Sequence, residues 1–180
     1  MKAISMIENN KSRMYSGTFR NGRMVYGRLA PGEENSGKLV NIVREKARQI
    51  SKAYNIENII IDGPPGIGCP VISSITGANN VVIITEPTIS GLHDLMRTIE
   101  ITSMFNLKTW VIINKYDLNQ ELSNDIEKYC SDRYLNFAGK LSFDPKVVEA
   151  MVKCKSIVEY DPASEISIQI LNIWKKINSN

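Results

Sequence analysis

The stretch Asn58-Ile59-Ile60-Ile61-Asp62-Gly63-Pro64-Pro65-Gly66-Ile67-Gly68 decides the fold class. A run of β-branched residues ends in an acid, and a turn rich in proline and glycine follows at once. The apolar run is continuous instead of alternating, so Ile59 to Ile61 read as a short strand buried on both faces. Asp62 then stands at the carboxyl end of a strand, where ligands bind in open α/β sheets. A carboxylate there suits Mg²⁺, held directly or through water. Pro64 and Pro65 cannot extend the strand, and Gly66 and Gly68 let backbone N–H groups approach an anion closely. The same residues would also serve a plain strand-to-helix turn, so the neighbouring segments decide between the two.

Downstream the pattern repeats. Asn80-Val81-Val82-Ile83-Ile84-Thr85 is a second run of the fully buried kind, followed by Glu86-Pro87-Thr88. Thr109 to Asn114 is a third, followed by Lys115-Tyr116-Asp117, and Leu135 to Leu141 is a weaker fourth, ending at Ser142-Phe143-Asp144-Pro145. Helical spacing separates them. Pro70 to Thr76 reads as a short helix. Ser90 is placed to cap a helix running to about Phe105, with Leu92, Leu95, Met96, Ile99 and Met104 inward. A helix lies around Glu121 to Cys130, and a short one carries Val147, Val148, Ala150 and Met151. The last, about Ser164 to Ile177, turns Ile166, Ile170, Ile173 and Trp174 to one face. Strands alternating with helices mean an α/β fold, a mostly parallel sheet with helices on both faces. The carboxyl ends of all its strands share one edge. His93, the only histidine, falls in the first turn of a helix, where the dipole disfavours a charged imidazole.

Upstream, Lys11 to Leu29 reads as a β-hairpin. Tyr15, Gly17 and Phe19 alternate with polar residues, Asn21-Gly22 supplies the two positive-φ positions of a tight turn, and Met24 and Tyr26 alternate on the way back. Between Pro31 and Leu39 the spacing of Gly32 and Gly37-Lys38 matches G-x-x-x-x-G-K. Leu39 replaces the Ser/Thr that would hold Mg²⁺, and Glu33 and Glu34 would put negative charge inside a phosphate cradle. The segment therefore reads as a turn, with Asn35 or Ser36 capping a helix that carries Leu39, Ile42, Val43, Ala47 and Ile50. The organisation expected is a hairpin over residues 1–30 and an α/β domain, a partial P-loop ATPase domain on the family resemblance below, over 31–180.

A chain of 180 residues is long enough for a real core. It has no 18-residue apolar run and no signal-peptide pattern at its start. Cys69, Cys130 and Cys154 form no CxxC pair, so this chain alone builds neither a zinc nor an iron–sulfur site, and a reducing, cytoplasmic location fits. Cys69, in the loop after Gly68, reads as a buried, inert thiol in preference to an exposed, reactive one. The first 52 residues hold 11 Lys/Arg against 4 Asp/Glu, so within a net charge of +3 the remainder carries −4. A solvated basic face or a contact with an acidic neighbour explains this better than nucleic acid, for which no motif is present.

Taken in order, Asp62 to Gly68, Asn114 and Ser142 to Pro145 give the chain a family likeness. It resembles the MinD/Mrp-like branch of P-loop ATPases, which includes ParA, and most of all the members with an inserted ferredoxin domain. The resemblance runs from Ala3 onward and extends to Gly32 through Val40. It implies that Asp62 to Pro70 is the Walker B and switch II segment, with Asp62 meeting Mg²⁺ through water. It implies that Asn114 contacts adenine and that the Ser142–Pro145 loop closes over the base. The nucleotide-binding candidates are Asp62, Gly63, Pro64, Gly66, Glu86, Asn114, Asp117, Phe143, Asp144 and Pro145. The family's Gly-rich phosphate loop and ferredoxin cysteines are not in this sequence. The resemblance therefore implies the C-terminal part of such an ATPase: ATP with Mg²⁺ is the cofactor of the intact family, and the Fe-S cluster of full-length relatives is not ligated here. Weak or absent ATP hydrolysis is expected of this chain alone. The family's first strand runs through the middle of the sheet, so its loss implies low stability, or a homodimer or partner subunit that supplies the missing elements. No membrane is expected as a partner.

Two rival functions remain. Asn114-Lys115-Tyr116-Asp117 fits the guanine-reading N-K-x-D pattern, but Pro65 stands where a GTPase's D-x-x-G needs glycine. A non-catalytic interaction module would use the basic N-terminal hairpin to dock a partner.

Overall fold

The computed structural model describes residues 12–20, 22–31 and 36–179 of the chain. Expectations that fall on Ala3-Ile4, Asn21, Gly32 to Asn35 and the Ser36 cap lie outside what is described. The chain divides into two compact units, Met1–Gly77 and Ala78–Asn180.

In the first unit, β1 (Arg13–Phe19) and β2 (Gly22–Arg28) form the expected antiparallel hairpin. Its turn sits one residue earlier than the Asn21-Gly22 signal implies. Phe19 pairs with Gly22, and Arg20 takes the left-handed conformation at φ 52°. Side-chain pairing accounts for the register: it sets Tyr15 opposite Tyr26, with their rings stacked at 5.0 Å. Helix α1 (Ser36–Tyr54) packs under β2 so closely that a Cβ on Gly27 would lie 2.8 Å from Leu39 Cγ. It also packs on α2 (Cys69–Ile75). Arg44, buried on α1, donates to the carbonyls of Ser73 and Thr76 and so satisfies the end of α2. Arg48 adds a bond to Gly77 O at 3.0 Å. Burial, with Arg48 beside it, pushes the Arg44 guanidinium below its ordinary value.

The segment expected as a buried strand, Ile59 to Ile61, is not one. Residues 56–64 belong to neither sheet, and Ile60 is 78% exposed. A strand exists by pairing, and among the described residues no strand pairs with this one. Its apolar sequence is that of a buried strand, and no described strand lies beside it. Cys69 is likewise exposed instead of buried.

The second unit is an α/β layer structure. Strands β3 (Asn80–Thr85), β4 (Lys108–Asn114) and β5 (Asn136–Leu141) form a parallel sheet in that order. The first two fall where the apolar runs put them. One face carries α3 (Ile89–Met104) and α4 (Gln120–Asp132), which bury Leu95, Ile99, Ile126 and Cys130 against Val111 and Ile113. The other carries α7 (Glu165–Asn178), whose Ile173 meets Trp110, Ile112 and Ala138. Helices α5 (Lys146–Val152) and α6 (Ile157–Tyr160) close a third cluster around Ala150, Ile157 and Ile166. Helix α6 starts at a Ser156/Glu159 capping box. Helices on both faces of a parallel sheet are what the sequence pattern implies. Met96, Met104 and Trp174, expected to face inward, are exposed. Among the described residues no helix is long and apolar enough to cross a membrane.

Cys130 makes this core sensitive to alkali. Burial, with Glu127 nearby, pushes its thiol up to about 11. The protonated form is the one folding favours, so its contribution is complete below the unfolded value and is lost as pH rises through about 11. Between about pH 9 and 11 the protein is expected to lose roughly 2–3 kcal/mol through this group. Urea midpoints at the two pH values check it: the alkaline loss should shrink by that amount in Cys130→Ala, and an equal loss in both proteins would refute the assignment.

Candidate functional site

In the second unit three strand ends meet on one rim. At the first, Thr85 is buried and its Oγ1 donates to Gly91 O at 3.0 Å. Gly91 N in turn donates to Thr88 Oγ1 at 2.9 Å, making Thr88 the cap of α3. The expected cap, Ser90, already lies inside the helix, with its hydroxyl 3.2 Å from Thr88 Oγ1. Gly91 permits this fold-back: a Cβ there would lie 2.3 Å from Glu86 O. The tight turn projects Glu86 toward the end of β4.

There Asn114 closes the strand and Lys115 turns the chain at φ 54° into a short 3₁₀ turn, Tyr116–Leu118. Glu86 Oε1 receives Lys115 Nζ at 2.7 Å and lies 3.5 Å from Asn114 Nδ2. The contact uses one N–H of the Asn114 amide, and the amide oxygen remains an acceptor. The Glu86–Lys115 pair is substantially solvated, so it positions more than it stabilises.

The third strand end is tied to the second. Asp117 Oδ1 accepts from Phe143 N at 2.7 Å, joining the β4 turn to the loop after β5. Ser123 Oγ holds the turn from below by donating to Tyr116 O at 2.8 Å, and Lys140 lies 4.9 Å over the Tyr116 ring. Phe143 is exposed beyond this clasp. Asp144 Oδ1 accepts from Lys146 N at 2.9 Å and so starts α5, with Pro145 at the position preceding the helix. The rim therefore brings together Glu86 with Asn114, and Asp117 with Phe143, Asp144 and Pro145.

Asp62, Gly63, Pro64 and Gly66 belong to the first unit. All four are exposed, and Gly66 adopts φ 91°, a conformation that requires glycine. Asp62 stands as a single exposed carboxylate. Among the described residues no group of three or more His, Cys, Asp or Glu side chains could hold a metal ion. A lone carboxylate would suit an Mg²⁺ bound chiefly by phosphate and water, and does not make a metal site held by protein ligands.

Lys115 and Gly91 were not legible as site residues. The partner of Lys115 is on another strand, and the contact that forces glycine at Gly91 is with a carbonyl five residues back.

Comparison with known proteins gives the site a context. No family model matches the chain. An uncharacterized protein of Methanocaldococcus jannaschii is 37% identical over 113 residues, 63% of this chain and 39% of that protein. A second from the same organism is 25% identical over 173 residues, 95% of this chain and 58% of that one. The sporulation initiation inhibitor protein Soj of Bacillus subtilis is 25% identical over 77% of this chain and 58% of its own length. The chain thus spans roughly half the length of the curated relatives it matches. Among solved structures, the MinD cell division protein of Aquifex aeolicus superposes with a TM-score of 0.64 at 20% identity, covering 80% of this chain and 61% of that one. The septum site-determining protein MinD of Pyrococcus horikoshii, complexed with Mg-ADP, superposes at 0.59 with 20% identity, covering 74% and 56%.

Proposed function

We propose that this chain, which its relatives and its fold place in the MinD/ParA superfamily of P-loop ATPases, is the base-binding part of an ATP site. The observation that carries the reading is the Glu86–Asn114 contact on the sheet rim. An asparagine whose amide N–H is taken up by a carboxylate has its oxygen to offer to the exocyclic amine of adenine. The loop at Phe143 to Pro145, clasped to Asp117, supplies an apolar wall for the base. On the family resemblance, Asp62 in the first unit would meet Mg²⁺ through water. Within the 180 residues nothing meets the requirements of a phosphate cradle, because the one near-match places Leu39 where the metal-holding hydroxyl belongs.

Adenine is favoured over guanine by the use of Asp117. In a guanine site that carboxylate receives two N–H groups of the base. Here one of its oxygens already accepts from Phe143 N. Isothermal titration with AMP, ADP, ATP and GTP tests the reading. The three adenine nucleotides are expected to bind within about tenfold of one another, since the phosphates find no cradle, and Asn114→Ala is expected to weaken them by about 5- to 100-fold, the worth of one well-placed hydrogen bond. GTP binding as tightly as ATP would overturn it.

A further inference from the structure

The β1–β2 hairpin points most of its apolar surface away from the helix it rests on. Side chains alternate along each strand, so Arg23, Val25 and Gly27 share one face, and Met24, Tyr26 and Arg28 share the other. The first face is turned to α1. A Cβ on Gly27 would meet Leu39, and Arg23 Cζ lies 3.8 Å from the centre of the Tyr54 ring. Register puts Ser16 and Thr18 of β1 on that same face, opposite Val25 and Arg23. The outward face is left with Tyr15 opposite Tyr26, and with Met24 and Phe19. Phe19 is 58% exposed, and Met24 and Tyr26 are each 48% exposed. An antiparallel sheet with one face packed and one in water keeps its apolar side chains on the packed face. Here the order is reversed, although a one-residue shift of register moves every side chain to the other face.

Composition selects the same surface. From Arg13 to Arg28 the sequence has four arginines, two methionines, two tyrosines and a phenylalanine, and no Lys, Asp, Glu or Ala. The cores of protein–protein interfaces are enriched and depleted in those same types, and Tyr and Arg recur among the side chains whose loss costs most. At the open end of the hairpin Arg13 stands directly opposite Arg28. Like charges so placed repel, and among the described residues no ion pair holds either one. Ser12 Oγ, accepting from Ala30 N at 2.9 Å, ties the two strand ends together against that repulsion. A carboxylate set between two guanidiniums relieves it through charge-assisted hydrogen bonds.

We propose that the outward face of the β1–β2 hairpin docks a different protein, through a surface that is acidic at one end and apolar along the rest. Its carboxylates meet Arg13 and Arg28, and its apolar side chains cover Tyr15, Tyr26, Met24 and Phe19. Charge decides against the other occupants. A second copy meeting this face with its own brings only more arginine, because the hairpin has no acid. A nucleic-acid backbone needs cations repeated along its length, and between the Arg13–Arg28 pair and the turn this face has none. The Tyr15 and Tyr26 rings also stack on each other, at 5.0 Å, and so leave fewer faces free to receive bases. The surface belongs to the first unit, so the proposal stands whether or not the second binds nucleotide.

The probe is a library of random dodecapeptides displayed on phage and selected against the full chain. Selected peptides are expected to carry two or more Asp or Glu beside aliphatic or aromatic residues. One of them, synthesised, should slow hydrogen exchange at Arg13 to Arg28 and leave the second unit unchanged. The double charge reversal Arg13→Glu/Arg28→Glu should weaken its binding at least about tenfold. Arg97→Glu, exposed on α3, should not weaken it. A peptide with lysines in place of the acids should bind the double variant better than it binds the original chain, a result that an unfolded hairpin cannot imitate. The proposal is overturned by a selection that returns no acidic and apolar peptide, by protection that falls elsewhere, by affinity indifferent to the charge reversal, or by failure of the swapped peptide. It is equally overturned if single-stranded oligo(dT) displaces the peptide at equal concentration, which would make nucleic acid the occupant. Protection of Arg13 to Arg28 that rises with the concentration of this chain alone would make a second copy the occupant and would refute it too.

Discussion

Purified by itself, this chain is expected to hydrolyse ATP at no more than the background rate. Phosphoryl transfer demands little covalent chemistry from the protein. Catalysis comes almost wholly from positioning the γ-phosphate and neutralising its charge. In the superfamily that work belongs to a Gly-rich loop and its lysine, and the present residues hold neither. One arginine finger alone changes turnover by about 10³–10⁵. Losing the whole cradle costs at least as much, because nothing then positions the γ-phosphate or neutralises its charge. Mg²⁺-dependent phosphate release from ATP measures this, with Asp62→Ala as the control. Turnover above background that Asp62→Ala abolishes would show that this chain assembles a complete site, and would overturn the proposed division of labour.

What the sequence made legible divides along a physical line. Strands β3 and β4 were found almost to the residue, because a continuous β-branched run has few other uses. The same rule failed at Ile59 to Ile61, where the run is as apolar and the segment is in no sheet. A single strand's sequence encodes what it needs, not whether the partner is present. Position along the chain was legible one residue at a time: Asn114 closes β4 and Phe143 follows β5, as the apolar runs imply. The bonds that bring them together on the rim were not, since the Asp117 tie spans 26 residues and the Glu86–Asn114 contact spans 28. Competition between neighbouring candidates also escaped the pattern. Thr88 and Ser90 are both good caps, and the choice falls to Thr88 because buried Thr85 and Pro87 fix the turn before it.

That turn is where a single methyl group is expected to do the most damage. In Gly91→Ala the new Cβ would lie 2.3 Å from Glu86 O and 3.0 Å from both Thr85 Oγ1 and Thr88 Oγ1. The nearest of these is backbone, so no side-chain rotation relieves it. The chain must either break the Thr85 and Thr88 hydrogen bonds that anchor α3 or move the end of β3. A clash of this kind exceeds ordinary overpacking, and a loss of about 3–5 kcal/mol is expected, lowering Tm by on the order of 6–20 °C. Ser90→Ala, one residue away and exposed, should cost less than about 0.5 kcal/mol. The variant also separates fold from site. Shifting the Glu86 carbonyl swings its side chain away from Asn114 and Lys115, so adenine-nucleotide binding should fall even at temperatures where Gly91→Ala is fully folded. Thermal unfolding and titration of the same sample read both effects. An unchanged Tm would mean that the fold-back at Gly91 is not the tight turn described. A lowered Tm with undiminished AMP affinity would mean that Glu86 does not orient Asn114, and the proposed adenine contact would then lose its support.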